Sequence, residues 1–477
     1  MILPVLCNFI VIYILATLAI GLFVSKFIKN PEDFALAGKR MPVFITASAL
    51  FATWFGSETI MGASSEFVQN GLLGVIEDPF GSALCLLLLG IFFAKILYNM
   101  NLLTLGDLFS RRYGVKAEII SSFFMIVSYF GWTSAQLIAF AIVLKSVSGL
   151  DTDVGIWLAG FLVLIYTYAG GMWAITITDF VQTLMIIIGL VFLTGKIVGD
   201  AGGLVSVVSQ VPSGFWNFVP EPEPQKIIDY LTAWITIGLG SIPQQDVFQR
   251  IMSARCDKTA VRACVTGAFM YLTIAFMPLL IALASRQIHP DIASGDSQTI
   301  ITDTVMRHGD LWMQIMFYGA LLSAIMSTAS GSILASATPL AENVFKPLLK
   351  NISQNQLLVL MRISVVIMTL LGIWLATISD SIFVLVSEAS ALSLVTLFVP
   401  FIGALWWKSS NSIGAILSMI CGFTAWFIFR RFDVLFLGVY INRTMAALVV
   451  SFIAMYAGIL YEKIQNLKTA PEISDRH

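Results

Sequence analysis

Three carboxylates in this chain lie inside stretches that are otherwise apolar. They are Glu58, Asp179 and Glu388, and a carboxylate at membrane depth costs about 2.5–3.5 kcal/mol on insertion scales. Glu58 could face a cationic group of a solute or cycle a proton, or it could cap an unwound helix by accepting backbone N–H bonds. Asp179 could attract a cation on its way to or from a site, or it could be a first-turn acid at a helix N-terminus. Glu388 is compatible with either kind of role.

Hydroxyl side chains form a row in a second apolar stretch. Ser323, Ser327 and Ser330 follow the i, i+4, i+7 spacing that puts side chains on one helical face, and Thr328 stands beside Ser327. Small hydroxyl residues in membrane helices usually serve packing. The alternative is a sodium site, because Na⁺ is a hard cation that hydroxyl and carbonyl oxygens satisfy where a helix is unwound.

The composition indicates that lipid is the main solvent of the chain. Of its 477 residues 58% are hydrophobic and 12% are charged, about half the charged fraction of a soluble domain. The net charge of -1 gives no basic footprint for nucleic acid. The five scattered cysteines and three histidines form no CxxC or Cys/His cluster, so the cysteines are expected to pack as small apolar residues. No nucleophile–base pair is recognisable either, which argues against an enzyme.

Thirteen apolar segments are long enough to cross a membrane as helices, which takes roughly 20 residues. Numbered 1 to 13 in chain order, they cover 4–26, 42–69, 72–98, 117–148, 153–169, 173–198, 227–253, 259–285, 310–341, 355–378, 382–407, 412–430 and 441–462. The predicted fold is therefore an all-α integral membrane protein. The first run, Leu3 to Val24, has no basic region before it and no small-residue cleavage site after it, which predicts a retained helix rather than a signal peptide. The short tail after Tyr461 argues against an appended sensor domain.

The distribution of Lys and Arg predicts an orientation. With the N-terminus outside, 18 of the 27 basic residues fall in inner connections and 8 in outer ones, with Arg362 inside a segment. The C-terminus is then cytoplasmic, as an odd number of crossings requires, and the expected location is the plasma or bacterial inner membrane. Arg430, Arg431 and Arg443 oppose this rule, so the placement of segments 12 and 13 stays open.

Segments 2 and 7 interrupt their own apolar pattern midway. The interruptions are residues 52–59 and residues 238–246, the second of which contains Pro243. Glycine is permissive and proline cannot donate a backbone hydrogen bond, so both stretches favour unwinding. Unwound backbone persists in a membrane only inside protein or beside a wet cavity. The alternative is a pair of ordinary kinks.

The two breaks occupy corresponding places, because each opens a group of five segments. Five is odd, so the groups have opposite orientations, which is typical of an inverted repeat with a midplane site. The resulting division of the chain is a first helix and inner loop (1–41), a first five-helix repeat (42–198), an outer loop (199–226), a second five-helix repeat (227–407), and two peripheral helices with a tail (408–477).

Several separated motifs resemble those of the sodium:solute symporter family, whose fold is of the LeuT type. Residues 170–182 are similar to its GG-x-x-A…TD-x-x-Q segment, and residues 324–332 are similar to its A-x-x-S-S-x-x-S segment, with Thr328 for the second serine. Residues 52–62 resemble its broken first core helix.

This resemblance implies roles for individual residues. The sodium site would take the carbonyls of Ala52, Phe55 and Ala324 and the hydroxyls of Ser327 and Thr328. Asp179 would match the carboxylate that lines the sodium path. The solute would lie between the breaks of segments 2 and 7.

Within the family the chain resembles the high-affinity choline transporter branch, most clearly over residues 240–250. Trp54 and Trp132 fall where that branch places aromatics around a quaternary amine, a use of cation–π attraction. Gln244 stands where those transporters have tryptophan, and Glu58 adds a carboxylate. The predicted pocket is therefore more polar than a choline cage and suits an amine, an amino-acid-like solute or another small polar solute.

The predicted function is sodium-coupled symport of a small polar or amine-containing organic solute by alternating access. The residues expected to bind the solute are Trp54, Glu58, Thr59, Asp78, Trp132, Gln244 and Gln245. Asp78 opens segment 3 and could instead be an interfacial cap. The expected partners are the solute, Na⁺ as co-transported ion and membrane lipid. No organic cofactor is expected, and the protein is expected to function as a monomer.

Three other functions are weighed against sodium symport. The first is proton-coupled symport, with Glu58 or Asp179 as the carrier. An ion channel would need rings of like residues along a pore. A membrane-embedded sensor or enzyme is the third.

Overall fold

The computed structural model describes residues 2–290, 297–349, 352–379, 381–432, 434–436 and 439–469. Parts of the outer connection before segment 9 and the C-terminal tail, with the predictions made for them, lie outside these ranges.

The described chain is almost entirely helical. The helices along the thirteen predicted segments are Ile2–Val24 (segment 1), Val43–Ala52 and Ser64–Asn70 (2), Ser82–Leu88 and Ala94–Asn99 (3), Val115–Ser148 (4), Thr152–Asp200 (5 and 6), Pro224–Gly238 and Gln245–Ser253 (7), Asp257–Ile274 and Phe276–Ile288 (8), Leu311–Pro339 (9), Gln354–Ala376 (10), Ile382–Ser393 and Val399–Trp406 (11), Ser412–Ile428 (12), and Arg443–Thr469 (13).

Shorter elements complete these helices and connect them. Turns of π-helix cover Glu58–Ala63, Ile76–Gly81, Leu89–Phe93, Leu340–Phe345 and Leu394–Phe398. Short α-helices cover Pro31–Leu36, Gly106–Tyr113, Leu204–Ser209, Ile300–His308 and Lys346–Leu349, and 3₁₀ turns cover Ser25–Phe27, Ala37–Lys39, Gly71–Val75 and Ser297–Thr299. Between segments 12 and 13 the antiparallel strands Val434–Phe436 and Val439–Ile441 form a small hairpin that the all-α prediction does not include.

The count of thirteen separate spans is not confirmed. By length and composition alone, nine helices in the described ranges could cross a membrane. Segments 5 and 6 form one helical stretch of 49 residues, bent at Gly171, whose φ of 45° and ψ of -142° are not helical. A β-carbon there would lie 2.6 Å from the carbonyl oxygen of Phe34, so this bend needs glycine. The helices on either side of each break, such as Val43–Ala52, and the 17-residue helix Ser412–Ile428 are each too short to be counted as a membrane-crossing helix.

Both predicted breaks are confirmed. In segment 2 the helix ends at Ala52 and helical turns resume at Glu58. In segment 7 the helix ends at Gly238 and a new helix begins at Gln245. Gly240 lies in this second break, where a β-carbon would come within 2.5 Å of the Ser390 carbonyl oxygen. The close approach of two backbones therefore excludes a side chain at that position.

Segment 9 is the centre of the bundle. The most apolar 18-residue window of Leu311–Leu349 is 100% buried within the protein, whereas that of Pro4–Phe27 is 28% buried. The segment 9 helix packs against Thr152–Asp200 and Val115–Ser148. Its hydroxyl row therefore faces other helices and not lipid, so what those hydroxyls contact decides their role.

Candidate ion- and solute-binding site

The carbonyl oxygen of Ala52 is the point at which two hydroxyls of segment 9 meet, whereas Ser323 and Ser330 donate to carbonyl oxygens of their own helix. If the helix continued, this oxygen would accept the N–H of Gly56, but that N–H donates to the Trp54 oxygen at 2.9 Å. The Thr328 hydroxyl donates to the Ala52 oxygen instead, at 3.2 Å, and the Ser327 hydroxyl oxygen lies at the same distance from it. Three of the five predicted sodium ligands are therefore in mutual contact at the break of segment 2.

The two remaining predicted ligands lie in the same neighbourhood. Phe55 is fully buried within the break, and its ring stacks on Phe51 with ring centroids 4.6 Å apart. Ala324 is fully buried on the segment 9 helix, four residues before Thr328. The participation of their carbonyl oxygens in an ion site stays a prediction.

Asp179 contacts the same hydroxyl group from the other side. Its Oδ1 accepts a hydrogen bond of 2.5 Å from Ser327, and its Oδ2 lies 3.4 Å from Arg250 Nη2. The side chains of Asp179 and Arg250 are 0% and 1% exposed. Arg250 also donates from Nε to the Ala49 oxygen at 2.9 Å. Its guanidinium is therefore the internal counter-charge of Asp179.

Arg250 corrects the charge assignment made from sequence. It was counted among the inner connections, but the structure places it inside the bundle, one turn after Asp246, whose carbonyl oxygen it contacts at 3.3 Å. Without it, 17 basic residues fall in inner connections and 8 in outer ones, so the predicted orientation is unaffected.

Glu58 lies beside the hydroxyls of segment 9. Its Oε2 accepts a hydrogen bond of 2.7 Å from Gln136 Nε2, and Gln136 Oε1 accepts the N–H of Ser57 at 3.0 Å. A β-carbon on Gly56 would lie 2.7 Å from Glu58 Oε2 and 2.8 Å from Thr328 Oγ1. Only glycine fits here, and it lets the carboxylate approach the candidate ion site. Glu58 Oε1 is buried and has no hydrogen-bond partner.

Asp78 is buried inside the bundle and accepts no backbone N–H of the kind that a helix cap would accept. It accepts hydrogen bonds of 2.7 Å from the hydroxyls of Thr59, Tyr271 and Ser82. Thr59 and Tyr271 also contact each other at 2.6 Å. The carboxylate therefore joins segments 2, 3 and 8 in one polar cluster through side-chain hydroxyls, and its contact with solute stays a prediction.

Trp54 and Trp132, the two aromatic residues predicted for the solute pocket, are buried, and their indole nitrogens form no hydrogen bond. The indole nitrogens of Trp54 and Trp132 have no hydrogen-bond partner, and neither polar atom of the Gln244 side chain has one. The Trp54 indole lies near the Asp246 carboxylate but outside hydrogen-bond geometry. Buried polar atoms in native proteins are normally paired, so these groups are the ones that a bound molecule could satisfy.

Gln245 faces a different part of the molecule. Its side-chain oxygen accepts the backbone N–H of Leu105 at 2.7 Å. In the same region Asn343 donates to Asp107 at 2.9 Å and to Glu118 at 2.8 Å. The structure therefore does not bring Gln245 together with Trp54 and Glu58, and its predicted contact with solute has no support in the geometry.

Three residues at the centre were missed from sequence: Gln136, Arg250 and Tyr271. Gln136 and Tyr271 lie within the helices Val115–Ser148 and Asp257–Ile274, and Arg250 lies in the nine-residue helix Gln245–Ser253. None of the three belongs to a glycine, proline or hydroxyl pattern of the kind that marked the breaks and the hydroxyl row. The one available signal was a polar side chain at membrane depth.

Comparison with known proteins agrees with this geometry. Residues 34–422 match the sodium:solute symporter family. The chain is 26% identical to the sodium/proline symporter of Escherichia coli K12, over 92% of this chain and 89% of that one. It is 24% identical to the human high affinity choline transporter 1, over 87% of this chain and 74% of that one.

Solved structures show the same fold. A substrate-bound, outward-open Na⁺-coupled sialic acid symporter superposes with a TM-score of 0.78 at 18% identity, covering 97% of this chain and 98% of that one. MhsT, in complex with L-phenylalanine, superposes with a TM-score of 0.54 at 14% identity, covering 88% of this chain and 98% of that one. These likenesses confirm the LeuT-type architecture with its broken helices.

The family match covers most of the chain, and the broken helices are those that the resemblance implied. The chain is a multi-pass membrane transporter, not an enzyme, and it belongs to the sodium:solute symporter family.

Proposed function

We propose that this protein is a sodium-coupled symporter that imports a small amine-containing organic solute by alternating access. The observation that carries the proposal is the convergence of the Ser327 and Thr328 hydroxyls on the free carbonyl oxygen of Ala52. Oxygens of this kind, supplied by an unwound helix and a neighbouring one, suit Na⁺. The carbonyls of Phe55 and Ala324 complete the proposed ligand set.

Asp179 is proposed to guide Na⁺ between this site and the cytoplasm. Its hydrogen bond to Ser327 supports this role, because the carboxylate touches an ion ligand directly. Na⁺ crossing 100 mV down a tenfold gradient releases about 3.7 kcal/mol, which sustains solute accumulation of about a few hundredfold.

The unpaired atoms around the break of segment 2 support a particular kind of solute. Glu58 Oε1 is an acceptor that needs a donor, while the indole N–H groups of Trp54 and Trp132 are donors that need an acceptor. The Gln244 side chain offers one donor, its amide nitrogen, and one acceptor, its amide oxygen. A cationic amine with N–H groups and a nearby acceptor, such as an amino-acid-like zwitterion, would satisfy this set. A quaternary amine has no N–H to give Glu58.

Burial of these groups supports alternating access. Trp54, Glu58, Thr59, Trp132 and Gln244 are each at most 2% exposed, so solute reaches them only after one side of the bundle opens. The polar network of Asn343 with Asp107 and Glu118 closes the end that the Lys and Arg bias assigns to the cytoplasm. This arrangement is consistent with a cycle in which that network breaks to release Na⁺ and solute inside.

Orientation, location, segmentation and oligomeric state are proposed as well. We propose an N-terminus outside, a cytoplasmic C-terminus, residence in the plasma or inner membrane, the two five-helix repeats over 42–198 and 227–407, and function as a monomer.

The ion pair of Arg443 with Glu388, together with the Arg443 stack on Trp426 at 5.3 Å, supports an outer Arg443 despite the charge rule. Exposed apolar side chains on segments 1 and 13, among them Ile12, Phe23 and Ile453, support contact with lipid.

A thermal-stability screen of the purified protein tests the solute class. Primary and secondary amines, amino acids, choline, sugars and carboxylates are compared in NaCl and in KCl. An N–H-bearing cationic solute is expected to raise the melting temperature in NaCl and much less in KCl. Equal stabilisation in both salts would contradict sodium coupling, and stabilisation by choline alone would contradict the solute class.

Glu58→Gln is expected to weaken binding of the cationic solute by about 10- to 100-fold, because a hydrogen bond to a charged group is lost. Solute affinity in saturating Na⁺ is the measurement. Glu66→Gln is the matched control, since Glu66 lies two turns further along and contacts Asn70. Unchanged affinity in Glu58→Gln, or an equal loss in the control, would exclude Glu58 as the amine ligand.

A further inference from the structure

We propose that the solute carries two cationic N–H groups, one bound by Glu58 and the other by Asp246, as a diamine or a basic amino acid would. The inference rests on the proposed function, because it takes the amine on Glu58 from there. It adds Asp246 as a residue that determines solute specificity. Asp246 lies in the first turn of the helix that follows the break of segment 7.

One face of the segment 4 helix connects the two carboxylates. Tyr129, Trp132 and Gln136 follow the i, i+3, i+7 spacing on this uninterrupted helix, so they share a face. The Tyr129 hydroxyl donates to Asp246 Oδ1 at 2.8 Å, and Gln136 Nε2 donates to Glu58 Oε2 at 2.7 Å. Tyr129 and Gln136 are about 10 Å apart along the helix axis. The two carboxylates are therefore held at separate points of one face, and Trp132 lies between these points.

The Asp246 carboxylate keeps one oxygen for a further donor. Asp246 is 3% exposed. The hydrogen bonds that it accepts from described residues, from the Tyr129 hydroxyl and from the backbone N–H of Val247, both end on Oδ1. The Trp54 indole lies nearby but outside hydrogen-bond geometry. Because buried polar atoms are normally paired, Oδ2 is an acceptor that a second amine of the solute could satisfy.

Gln244 is a second sign that a ligand approaches this break. It lies two residues before Asp246 and is 0% exposed, and neither polar atom of its side chain has a hydrogen-bond partner among the described residues. Its amide oxygen is another acceptor at the same break. Two acceptors without donors at the break of segment 7 therefore accompany the one on Glu58 at the break of segment 2.

The charge balance of the centre favours more than one cationic group on the solute. Glu58, Asp78, Asp179 and Asp246 are each at most 3% exposed, and Arg250 is the one buried Lys or Arg among the described residues. The Arg250 guanidinium pairs with the Asp179 carboxylate, and it contacts Asp246 through the backbone oxygen. Buried charges are normally paired. A single amine on Glu58 would leave the Asp246 carboxylate without a cation of its own, and a second amine supplies one.

The aromatic ring between the two carboxylates suits the hydrocarbon chain that joins two amines. Trp132 is buried, and its indole nitrogen has no hydrogen-bond partner among the described residues. A methylene chain can pack on the indole while its ammonium groups reach polar partners on either side. A monoamine with the same chain would satisfy only one of the two carboxylates.

Calorimetric titration of the purified full-length protein in saturating NaCl tests the inference with two pairs of ligands. Cadaverine is compared with pentylamine, and lysine with norleucine, because the members of each pair differ only in the second amino group. In at least one pair the ligand with two amines is expected to bind about 10- to 100-fold more tightly, the effect of a hydrogen bond to a charged group. The pair that shows this preference distinguishes a diamine from a basic amino acid.

The ligand pairs also separate failure of the inference from failure of the proposed function. Equal affinities within both pairs would overturn the inference and leave a sodium-coupled amine symporter intact. Failure of all four ligands to bind would overturn the inference together with the proposed amine solute.

Asp246→Asn tests whether this carboxylate causes the preference. The variant is expected to lose the 10- to 100-fold preference for two amines while its affinity for the monoamine stays unchanged. Asp246→Glu keeps the charge and is expected to keep most of the preference, which covers the case that Asp246→Asn fails to fold. Asp310→Asn is the control, because it makes the same change at the exposed N-cap of segment 9, where asparagine also caps. This control is expected to bind both members of each pair as the wild type does.

Two results with these variants would overturn the role of Asp246. The first is a preference for two amines that persists in Asp246→Asn. The second is an equal loss of affinity for both members of a pair in Asp246→Asn, because a carboxylate that only positions Tyr129 or stabilises the start of its helix would affect both ligands alike.

Discussion

Ser327→Ala/Thr328→Ala is expected to abolish Na⁺-stimulated uptake while leaving the protein inserted and folded. The two hydroxyls are the side-chain ligands of the proposed ion and both contact the Ala52 oxygen. Loss of two oxygens from a charged ligand is expected to weaken Na⁺ binding by at least about 100-fold. Initial uptake rates in proteoliposomes, measured over a series of Na⁺ concentrations, give the result.

Two controls separate ion binding from packing. Thr328→Ser keeps the hydroxyl at this position and is expected to show nearly wild-type Na⁺ dependence. Ser336→Ala removes a hydroxyl that donates to the Ser332 and Ile333 oxygens of its own helix, and it should leave Na⁺ dependence unchanged. Wild-type Na⁺ dependence in Ser327→Ala/Thr328→Ala would refute the ion site, and the hydroxyl row would then serve packing.

Arg250→Ala is expected to destabilise the protein by about 3–5 kcal/mol, the usual cost of removing one partner of a buried ion pair. The reason is that Asp179, 0% exposed, loses its counter-charge within the bundle. The free energy of unfolding in detergent is the measurement for this variant.

The double variant Asp179→Asn/Arg250→Ala tests the cause of that loss. Without the carboxylate no charge is left unpaired, so most of the stability is expected to return, although Na⁺-coupled uptake stays impaired. Recovery of stability in the double variant would establish Arg250 as the counter-charge of Asp179. If the double variant were as unstable as the sum of the single ones, the hydrogen bond from Arg250 to Ala49 would matter more than the ion pair.

The parts of the site that follow backbone chemistry could be predicted from sequence. Gly56, Gly240 and Pro243 weaken helices locally, so both breaks were visible without any contact information. The spacing of Ser323, Ser327 and Ser330 likewise predicted a hydroxyl face on segment 9, and the family resemblance linked Ser327 and Thr328 to the first break. These features are local, and local patterns are what a single sequence displays.

Features that depend on packing could not be predicted. Arg250 was assigned to an inner connection because a charge near a helix end normally reaches water, and only its contact with Asp179 reveals that it is internal. Gln244 and Gln245 are adjacent and alike, yet Gln245 contacts Leu105 while the side-chain polar atoms of Gln244 are buried without a partner. Asp78 and Tyr271 are far apart in the chain, so their hydrogen bond had no signal in sequence.

The break of segment 2 explains how ion and solute can be coupled. One stretch of six residues, Ala52 to Ser57, supplies the Ala52 and Phe55 carbonyls of the proposed Na⁺ site, and Glu58 follows it directly. An ion that orders this stretch also orders Trp54 and Glu58, which are proposed to bind the solute. By linkage, the solute must then favour the bound ion to the same extent.

Movement of Na⁺ driven by the solute is the most direct test of this coupling. Proteoliposomes with equal Na⁺ on both sides receive an inward gradient of the amine solute identified by the stability screen, at zero membrane potential, and entry of radioactive Na⁺ is followed. Proteoliposomes with the wild-type protein are predicted to accumulate Na⁺ although no Na⁺ gradient is imposed. Proteoliposomes with Ser327→Ala/Thr328→Ala are predicted to accumulate no Na⁺. Solute entry without Na⁺ accumulation in the wild type, particularly with proton entry in its place, would contradict sodium-coupled symport.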